Sequence, residues 1–293
     1  MTDFGLIGHP ISHSMSKVMH EAAFRELRLE YAYSLFDVTE GELGLFMENS
    51  DFRGLNVTVP LKVAAAKLMT ELSDDAAVIG AVNTIEFADC RIGHNTDGIG
   101  FIRSLQEAGV DVDDVTFLVL GAGGAGRSIV FKLAMEKARV YVHNRDAKKA
   151  RDLSEEVMTR LSVHVEAVEE MADVMREVDV LVNATSAGMD PAVGVTPIDA
   201  RLLHPALTVA DIVYNPLETR LLREAKALGC KTVDGTGMLV HQGAEALRIW
   251  LDAEPPVEVM RQAVLEELRK PKQKEEAPLK KPVRKRPPGP GGR

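Results

Sequence analysis

The chain has 293 residues, 45% hydrophobic and 27% charged, enough for two packed cores and typical of a globular protein. No apolar run approaches the roughly 20 residues of a bilayer span, and Met1-Thr2-Asp3-Phe4-Gly5 opens without the features of a secretion signal, so no membrane association is expected. The net charge of −9 argues against a nucleic-acid-binding core, and Cys90 and Cys230, far apart, make neither a disulfide framework nor a metal site, so a cytoplasmic location is expected.

Phe4 to Gly8 reads as a strand and Lys17 to Leu29 as a helix, with Met19, Ala23 and Leu27 on every fourth position. Between them stands Ser12-His13-Ser14-Met15-Ser16. At a helix N-terminus Ser14 and Ser16 can each donate a hydrogen bond in a field that favours anions, and two serines are more than one cap needs. Tyr31 to Val38 reads as a strand, and so does Gly54 to Val59, which Pro60 stops. Leu61 to Leu72 is expected to be helical and Ala81 to Phe87 to be a strand.

Asn56, Thr58 and Lys62 gather at the end of the Gly54 strand. Lys62 on a first helical turn would ordinarily be a solvated surface residue, but the helix dipole makes a cation there slightly unfavourable, so a nearby anion is expected. Asp97, in Gly93-His94-Asn95-Thr96-Asp97-Gly98, offers one at a loop-to-helix junction, where by itself it reads as an N-cap. Asn83 is an amide inside an apolar run and needs a partner if buried. His13, His20 and His94 lack metal-ligand spacing, so no metal is expected and packing or surface roles are. From Gly98 a helix runs through Leu105.

Thr116 to Leu120 is an apolar run followed directly by Gly121-Ala122-Gly123-Gly124-Ala125-Gly126. Strand, tight turn and helix start arrive in the order that a bound pyrophosphate requires. Gly121 permits the turn, Gly123 lets the backbone approach the phosphates, and Gly126 lets the next helix pack against the strand. That helix, beginning near Ala125, points free N–H groups at the anion. A second apolar run, Ala138 to His143, ends in Asn144-Arg145. A carboxylate there would suit the ribose hydroxyls of NAD, whereas Arg145 suits the 2′-phosphate of NADP. Asp146, next in line, would oppose a phosphate unless it points away.

Val178 to Asn183, Val209 to Tyr214 and Lys231 to Asp234 continue the alternation, which predicts a parallel sheet with helices on both faces. After Gly237 come two helices, Met238 to Leu251 and one with Val257, Met260, Val264 and Leu268 on a stripe. No strand follows them, so they are expected to return to the first domain. The predicted fold class is α/β with two domains: an N-terminal α/β domain over 1–100, completed by helices within 238–269, and a Rossmann-type doubly wound parallel sheet over 101–237. Ligands would then bind in a cleft at the carboxyl ends of the second domain's strands. Residues 270–293 hold nine Lys/Arg against two Asp/Glu, a net of +7 that leaves the other 269 residues at −16. This Pro-, Gly- and Lys/Arg-rich tail has little to bury and is expected to be disordered.

Several strings, in order, resemble the shikimate/quinate dehydrogenase family. They are Ser12 to Ser16, Asn56-Val57-Thr58-Val59-Pro60-Leu61-Lys62, Gly80-Ala81-Val82-Asn83-Thr84, Asn95-Thr96-Asp97-Gly98 and the glycine turn with Asn144-Arg145. Asn183-Ala184-Thr185-Ser186-Ala187-Gly188-Met189, Asp211-Ile212-Val213-Tyr214 and Gly235-Thr236-Gly237-Met238-Leu239-Val240-His241-Gln242 follow, so the likeness spans 4–269. The resemblance implies NADP-linked interconversion of 3-dehydroshikimate and shikimate, on the route to aromatic amino acids. It implies that Ser14 and Ser16 bind the substrate carboxylate, and that Thr58, Asn83, Asp97, Tyr214 and Gln242 read the ring hydroxyls or the carboxylate. Lys62 and Asp97 would be the catalytic pair. Gly121, Ala122, Gly123, Gly124, Ala125, Gly126 and Arg127, with Asn144 and Arg145, would hold the cofactor, joined by Thr185 and Ile212. Gly235 and Met238 would line the nicotinamide. The implied partner is a small molecule, with no nucleic acid and no membrane, and a homodimer is left open.

The chain departs from the family pattern at Lys17, where Pro is usual, at His20-Glu21, where His-Asn is usual, and at Asp146, where Thr is common. Asp146 keeps an NAD-linked quinate or dual-specificity enzyme as the alternative. Reduction of a ketone by hydride leaves negative charge on oxygen. A positioned ammonium at Lys62, held by Asp97, can stabilise that charge and supply the proton.

Overall fold

The computed structural model describes residues 3–48 and 52–270, so the tail expected to be disordered over 270–293 lies, from residue 271 on, outside the described residues. The first unit comprises β1 (Phe4–Gly8), α1 (Ser16–Glu26), β2 (Tyr33–Asp37), α2 (Leu43–Glu48), β3 (Gly54–Val57) and α3 (Lys62–Ala66). It continues with β4 (Glu71–Leu72), α4 (Asp74–Ile79), β5 (Thr84–Phe87) and β6 (Arg91–His94). Its six strands run in the order β2-β1-β3-β5-β6-β4. β1 pairs in parallel with β2 and β3, whereas β5 is antiparallel to both β3 and β6.

α5 (Asp97–Glu107) leads into the second unit: β7 (Thr116–Leu120), α6 (Gly124–Met135), β8 (Arg139–His143), α7 (Ala147–Leu161), β9 (Glu166–Ala167), β10 (Val180–Asn183), β11 (Thr208–Asp211), α8 (Arg220–Ala227) and β12 (Lys231–Val233). This sheet is parallel throughout, in the order β12-β11-β10-β7-β8-β9. Alternation along β7 explains why it is covered twice. Phe117 and Val119 pack with residues of α5, α6 and α7, while Leu118 and Leu120 pack with Leu221, Leu222 and Ala225 of α8.

α9 (Gly235–Leu251) and α10 (Val257–Arg269) return to the first sheet, as expected. Val240, Ala244, Leu247, Met260 and Val264 share a core with Phe4 and Leu6 of β1 and with Met19, Ala23 and Phe24 of α1. Ile7 of β1, on the opposite face, packs with Leu43, Met47, Leu55 and Ala65. Two helices join the sheets into one body. A Cβ on Gly100 of α5 would lie 2.7 Å from the backbone nitrogen of Gln242 in α9, and one on Gly237 would lie 2.8 Å from Ser104 Cβ. The divisions expected near residues 100 and 237 thus fall inside α5 and α9.

Several expected spans are corrected. The helix anticipated over 61–72 ends at Ala66, and Glu71 and Leu72 form an edge strand beside β6. α2, α4 and β6 had not been anticipated. α4 did carry its punctuation: Ser73 accepts from the Ala76 N–H, and Gly80 closes the helix in the left-handed region at φ 70°. Tyr214 lies beyond the strand, because Asp211 accepts from the Val213 N–H at 3.0 Å and turns the chain.

Candidate active site

The first unit places Lys62 at the start of α3, directly after Pro60-Leu61, and α5 begins at Asp97. Both side chains are almost fully buried, and the Lys62 ammonium donates to Asp97 Oδ2. Asp97 is thus the anion expected near Lys62. The N-cap reading of Asp97 is corrected: Thr96 occupies the cap position, and the Asp97 carboxylate turns inward. Its Oδ1 accepts from Asn83 Nδ2 at 2.9 Å. Asn83 also donates towards Thr96 Oγ1 at 2.9 Å and Gln242 Oε1 at 3.3 Å, and its Oδ1 accepts from the Thr96 N–H at 2.7 Å. The buried amide therefore finds its partners, and they gather around the ion pair.

A second polar group lies at the mouth of α1. Ser14 Oγ accepts from the Ser16 N–H at 3.2 Å and keeps its own O–H to donate. Ser16 hydrogen-bonds the Tyr33 phenol, which donates to Asn56 Oδ1 at 2.7 Å. Burial pushes the Tyr33 phenol well above its ordinary range, so it stays protonated. His20 stacks on Tyr33 with ring centroids 4.3 Å apart, and its Nδ1 donates to the Ser16 carbonyl at 2.8 Å. Burial pulls the His20 imidazole down to about 4, so the ring is neutral at physiological pH. From the second unit, Tyr214 reaches the backbone of Met15, between the two serines. Thr58 sits at the end of β3, with its N–H donating to the Ile7 carbonyl at 2.9 Å.

The glycine turn has the geometry expected of it. Gly121 has φ 113°, and a Cβ there would press on the Ala184 carbonyl at 2.9 Å. A Cβ on Gly126 would come within 2.0 Å of the Gly121 carbonyl oxygen, so only hydrogen fits. At Gly123 a Cβ would meet nothing within 4 Å, which leaves that backbone open to a ligand. α6 starts at Gly124 and is twelve residues long, so its first N–H groups face the open side of the turn. A Cβ on Gly124 would lie 3.4 Å from Lys62 Cδ. The turn therefore lies directly against the stem of the buried lysine.

Three family descriptions match along the chain: "Shikimate dehydrogenase substrate binding domain" over residues 6–85, "Shikimate / quinate 5-dehydrogenase" over 104–196 and "Shikimate 5'-dehydrogenase C-terminal domain" over 235–265. The shikimate dehydrogenase (NADP(+)) of Methanopyrus kandleri is 47% identical over 276 residues, covering 90% of this chain and 95% of its own. The chain belongs to the shikimate dehydrogenase family. A crystal structure of a shikimate dehydrogenase in complex with NADP+ superposes with a TM-score of 0.87 at 40% identity, covering 92% of this chain and 96% of its own. The Thermus thermophilus enzyme in complex with NADP(H) and shikimate gives a TM-score of 0.82 at 38% identity, covering 91% of this chain and 99% of its own.

In this member of the family, Asn144 Oδ1 accepts from the Ala122 N–H at 3.3 Å, fixing the turn to the end of β8. Arg145 is exposed beside it, as is Lys149 on the first turn of α7. The Asp146 carboxylate accepts from the Lys148 N–H at 3.1 Å and caps α7, so it is turned towards its own helix. Thr185 donates both its N–H and its hydroxyl to Asn183 Oδ1, at 3.1 and 2.7 Å. Asn183 in turn donates to Asp211 at 2.9 Å, and burial pushes the Asp211 carboxyl up to about 6. A Cβ on Gly235 would meet the Ile212 carbonyl at 2.4 Å, and Met238 is buried one turn further on.

Arg127 is the expected cofactor residue that the fold turns elsewhere. Its N–H is bonded within α6 to the Gly123 carbonyl at 2.7 Å, and its guanidinium faces the carboxyl end of α4. Sequence reasoning also overlooked the buried polar residues behind the pair. Asn95 donates to the Ala81 carbonyl at 2.9 Å and to Ser128 Oγ at 3.0 Å, and its Oδ1 accepts from the Asp97 N–H at 3.3 Å. Ser128 Oγ donates to the Gly124 carbonyl at 3.0 Å. For Asn95 the signal was its place in the run of amides and hydroxyls flanking Asp97, each of which needs a partner once buried.

Proposed function

We propose that this protein is an NADP-dependent shikimate dehydrogenase, reversibly reducing 3-dehydroshikimate to shikimate for aromatic amino acid synthesis. The observation that carries the proposal is the buried Lys62–Asp97 pair set directly against the glycine turn. The turn suits a dinucleotide: a Cβ at Gly126 would destroy it, and the open backbone at Gly123 and the α6 N-terminus can take a pyrophosphate. Exposed Arg145 and Lys149 suit a 2′-phosphate. NADP, when bound, supplies the hydride donor and acceptor. Gly121, Ala122, Gly123, Gly124, Ala125, Gly126, Asn144 and Arg145 would hold it, with Thr185, Ile212, Gly235 and Met238 nearer its reactive end.

Ser14 and Ser16 would receive the substrate carboxylate, and Thr58, Asn83, Asp97, Tyr214 and Gln242 would read the remaining oxygens. Lys62 holds its ammonium against the carbonyl oxygen that gains charge, stabilises it and donates the proton. Asp97 keeps that ammonium in place, and Asn83 keeps Asp97 in place. Such a site discriminates by hydroxyl readout, because an analogue lacking one hydroxyl leaves a buried polar group unpaired. The NAD-linked quinate alternative drew on Asp146, and that carboxylate is engaged at the start of α7. A cytoplasmic location is consistent with two unpaired cysteines.

The test is NADP reduction followed spectrophotometrically with shikimate. Turnover with shikimate at far higher kcat/KM than with quinate, and with NADP over NAD, is expected. Tight NADP binding without turnover of shikimate would refute the assignment.

A further inference from the structure

The carboxyl end of α4 leaves three carbonyls, of Ala77, Val78 and Ile79, without helical partners beyond it. The second unit supplies donors for them. Arg127 of α6 donates through Nε to the Ile79 carbonyl, and Arg160 of α7 donates through Nη1 to the Val78 carbonyl at 2.9 Å and lies 3.5 Å from that of Ala77. Glu156 joins the two guanidinium groups, at 2.5 Å from Arg127 Nη2 and 3.2 Å from Arg160 Nη2. Phe131 supports them from below, 5.0 Å from the Arg127 guanidinium and 6.0 Å from that of Arg160. Gly80 makes the approach feasible: a Cβ there would lie 2.8 Å from Arg160 Nη1 and 3.3 Å from Arg127 Nη2.

This assembly is placed to matter for the reaction. Arg127 directly follows the last glycine of the turn, so one end of the assembly is the cofactor helix itself. Beyond Gly80, the Ala81 carbonyl accepts from Asn95, the Val82 N–H donates to the Lys62 carbonyl at 2.9 Å, and Asn83 holds Asp97. We propose that Arg127 and Arg160, bridged by Glu156, form a clasp that seats α4 on α6 and α7 and sets the glycine turn at its working distance from Lys62 and Asp97. Arg160, remote from the turn in sequence, is then a positioning residue for hydride transfer, and Arg127 serves the cofactor only through the placement of α6. The clasp's role in catalysis rests on the dehydrogenase function proposed above. Its role in holding the two sheets together does not.

Full-length Arg160→Ala, Arg160→Lys and Glu156→Gln test it by two readouts. Small-angle scattering without ligands should show a larger radius of gyration for Arg160→Ala and Glu156→Gln than for the unaltered chain. With shikimate deuterated at the carbon that gives up hydride, Arg160→Ala should lose about tenfold in kcat and show a larger isotope effect, because misplaced reactants slow the chemical step. Its KM for NADP should stay within about threefold, and Arg160→Lys, which still reaches a carbonyl, should recover part of the loss. Unchanged scattering and isotope effect with only a lower melting temperature would overturn the clasp. A raised KM for NADP as the sole change would overturn it too, making these arginines cofactor ligands. Glu156→Gln keeps the test open if Arg160→Ala fails to fold. An unaltered chain that does not turn over shikimate would refute the dehydrogenase function, while the scattering comparison still judges the clasp.

Discussion

Asp97 is buried, and Lys62 and Asn83 stabilise its charge. Asp97→Asn keeps the volume and removes the charge that holds the ammonium. Steady-state kinetics should then show kcat lowered by about 10²-fold or more, the range for a disturbed proton-transfer group. At the other end of the proposed cleft, Arg145 has no buried role to confuse its contribution. Arg145→Ala should reduce kcat/KM for NADP by about tenfold, the worth of one charge-assisted hydrogen bond, and leave that for NAD nearly unchanged. Equal losses with both cofactors would mean that Arg145 does not meet the 2′-phosphate. The pairing of Lys62 with Asp97 was legible in the sequence because a cation on a first helical turn is slightly disfavoured by the dipole and Asp97 stood ready at a loop-to-helix junction. The clasp proposed for Arg127 was not, since it joins the Ile79 carbonyl, which any residue there would offer, to Glu156, 29 positions away in sequence.

The turn after β7 is the element whose sequence and structure correspond most closely. Gly121, Gly123 and Gly126 each have a separate reason, and two of the three can be checked as contacts, at Gly121 and Gly126. Gly126→Ala forces a methyl into the Gly121 carbonyl, which should cost about 1–3 kcal/mol of stability by overpacking and displace the α6 N-terminus. Urea unfolding and a fluorescence titration with NADPH would read both effects, and a variant that binds NADPH normally would contradict the account of the turn. Short elements were harder to read. α2 and α4 span six residues each, too few for periodicity to show, and β6 carries Arg91 and Gly93 within four residues. They form because their neighbours supply pairing and cover, which a local pattern does not record.

The whole molecule is two sheets sharing α5 and α9, and its stability should report the buried histidine under the serine pair. The folded chain holds His20 at about 4, below the ordinary 6.5, so between those values the unfolded chain binds a proton that the folded chain refuses. The stability contributed by neutral His20 is intact above pH 6.5 and is lost as pH falls towards 4, about 3 kcal/mol for the full gap. Asp211 works in the opposite sense, its contribution being present below its ordinary value and lost as pH rises through about 6. Comparing urea midpoints of the unaltered chain and His20→Gln at about pH 7.5 and about pH 4.5 isolates the histidine. The unaltered chain should lose more on acidification, and parallel losses would contradict the assignment.

The two-sheet arrangement has one chemical purpose in this account: it brings an ammonium from the first unit to the glycine turn of the second. The most direct measurement is the steady-state kinetics of Lys62→Ala with shikimate and NADP. A fall in kcat of about 10²- to 10⁴-fold with KM for shikimate nearly unchanged is predicted, because the ammonium acts on charge that develops only in the transition state. A preserved kcat with a greatly raised KM would contradict it and make Lys62 a binding residue.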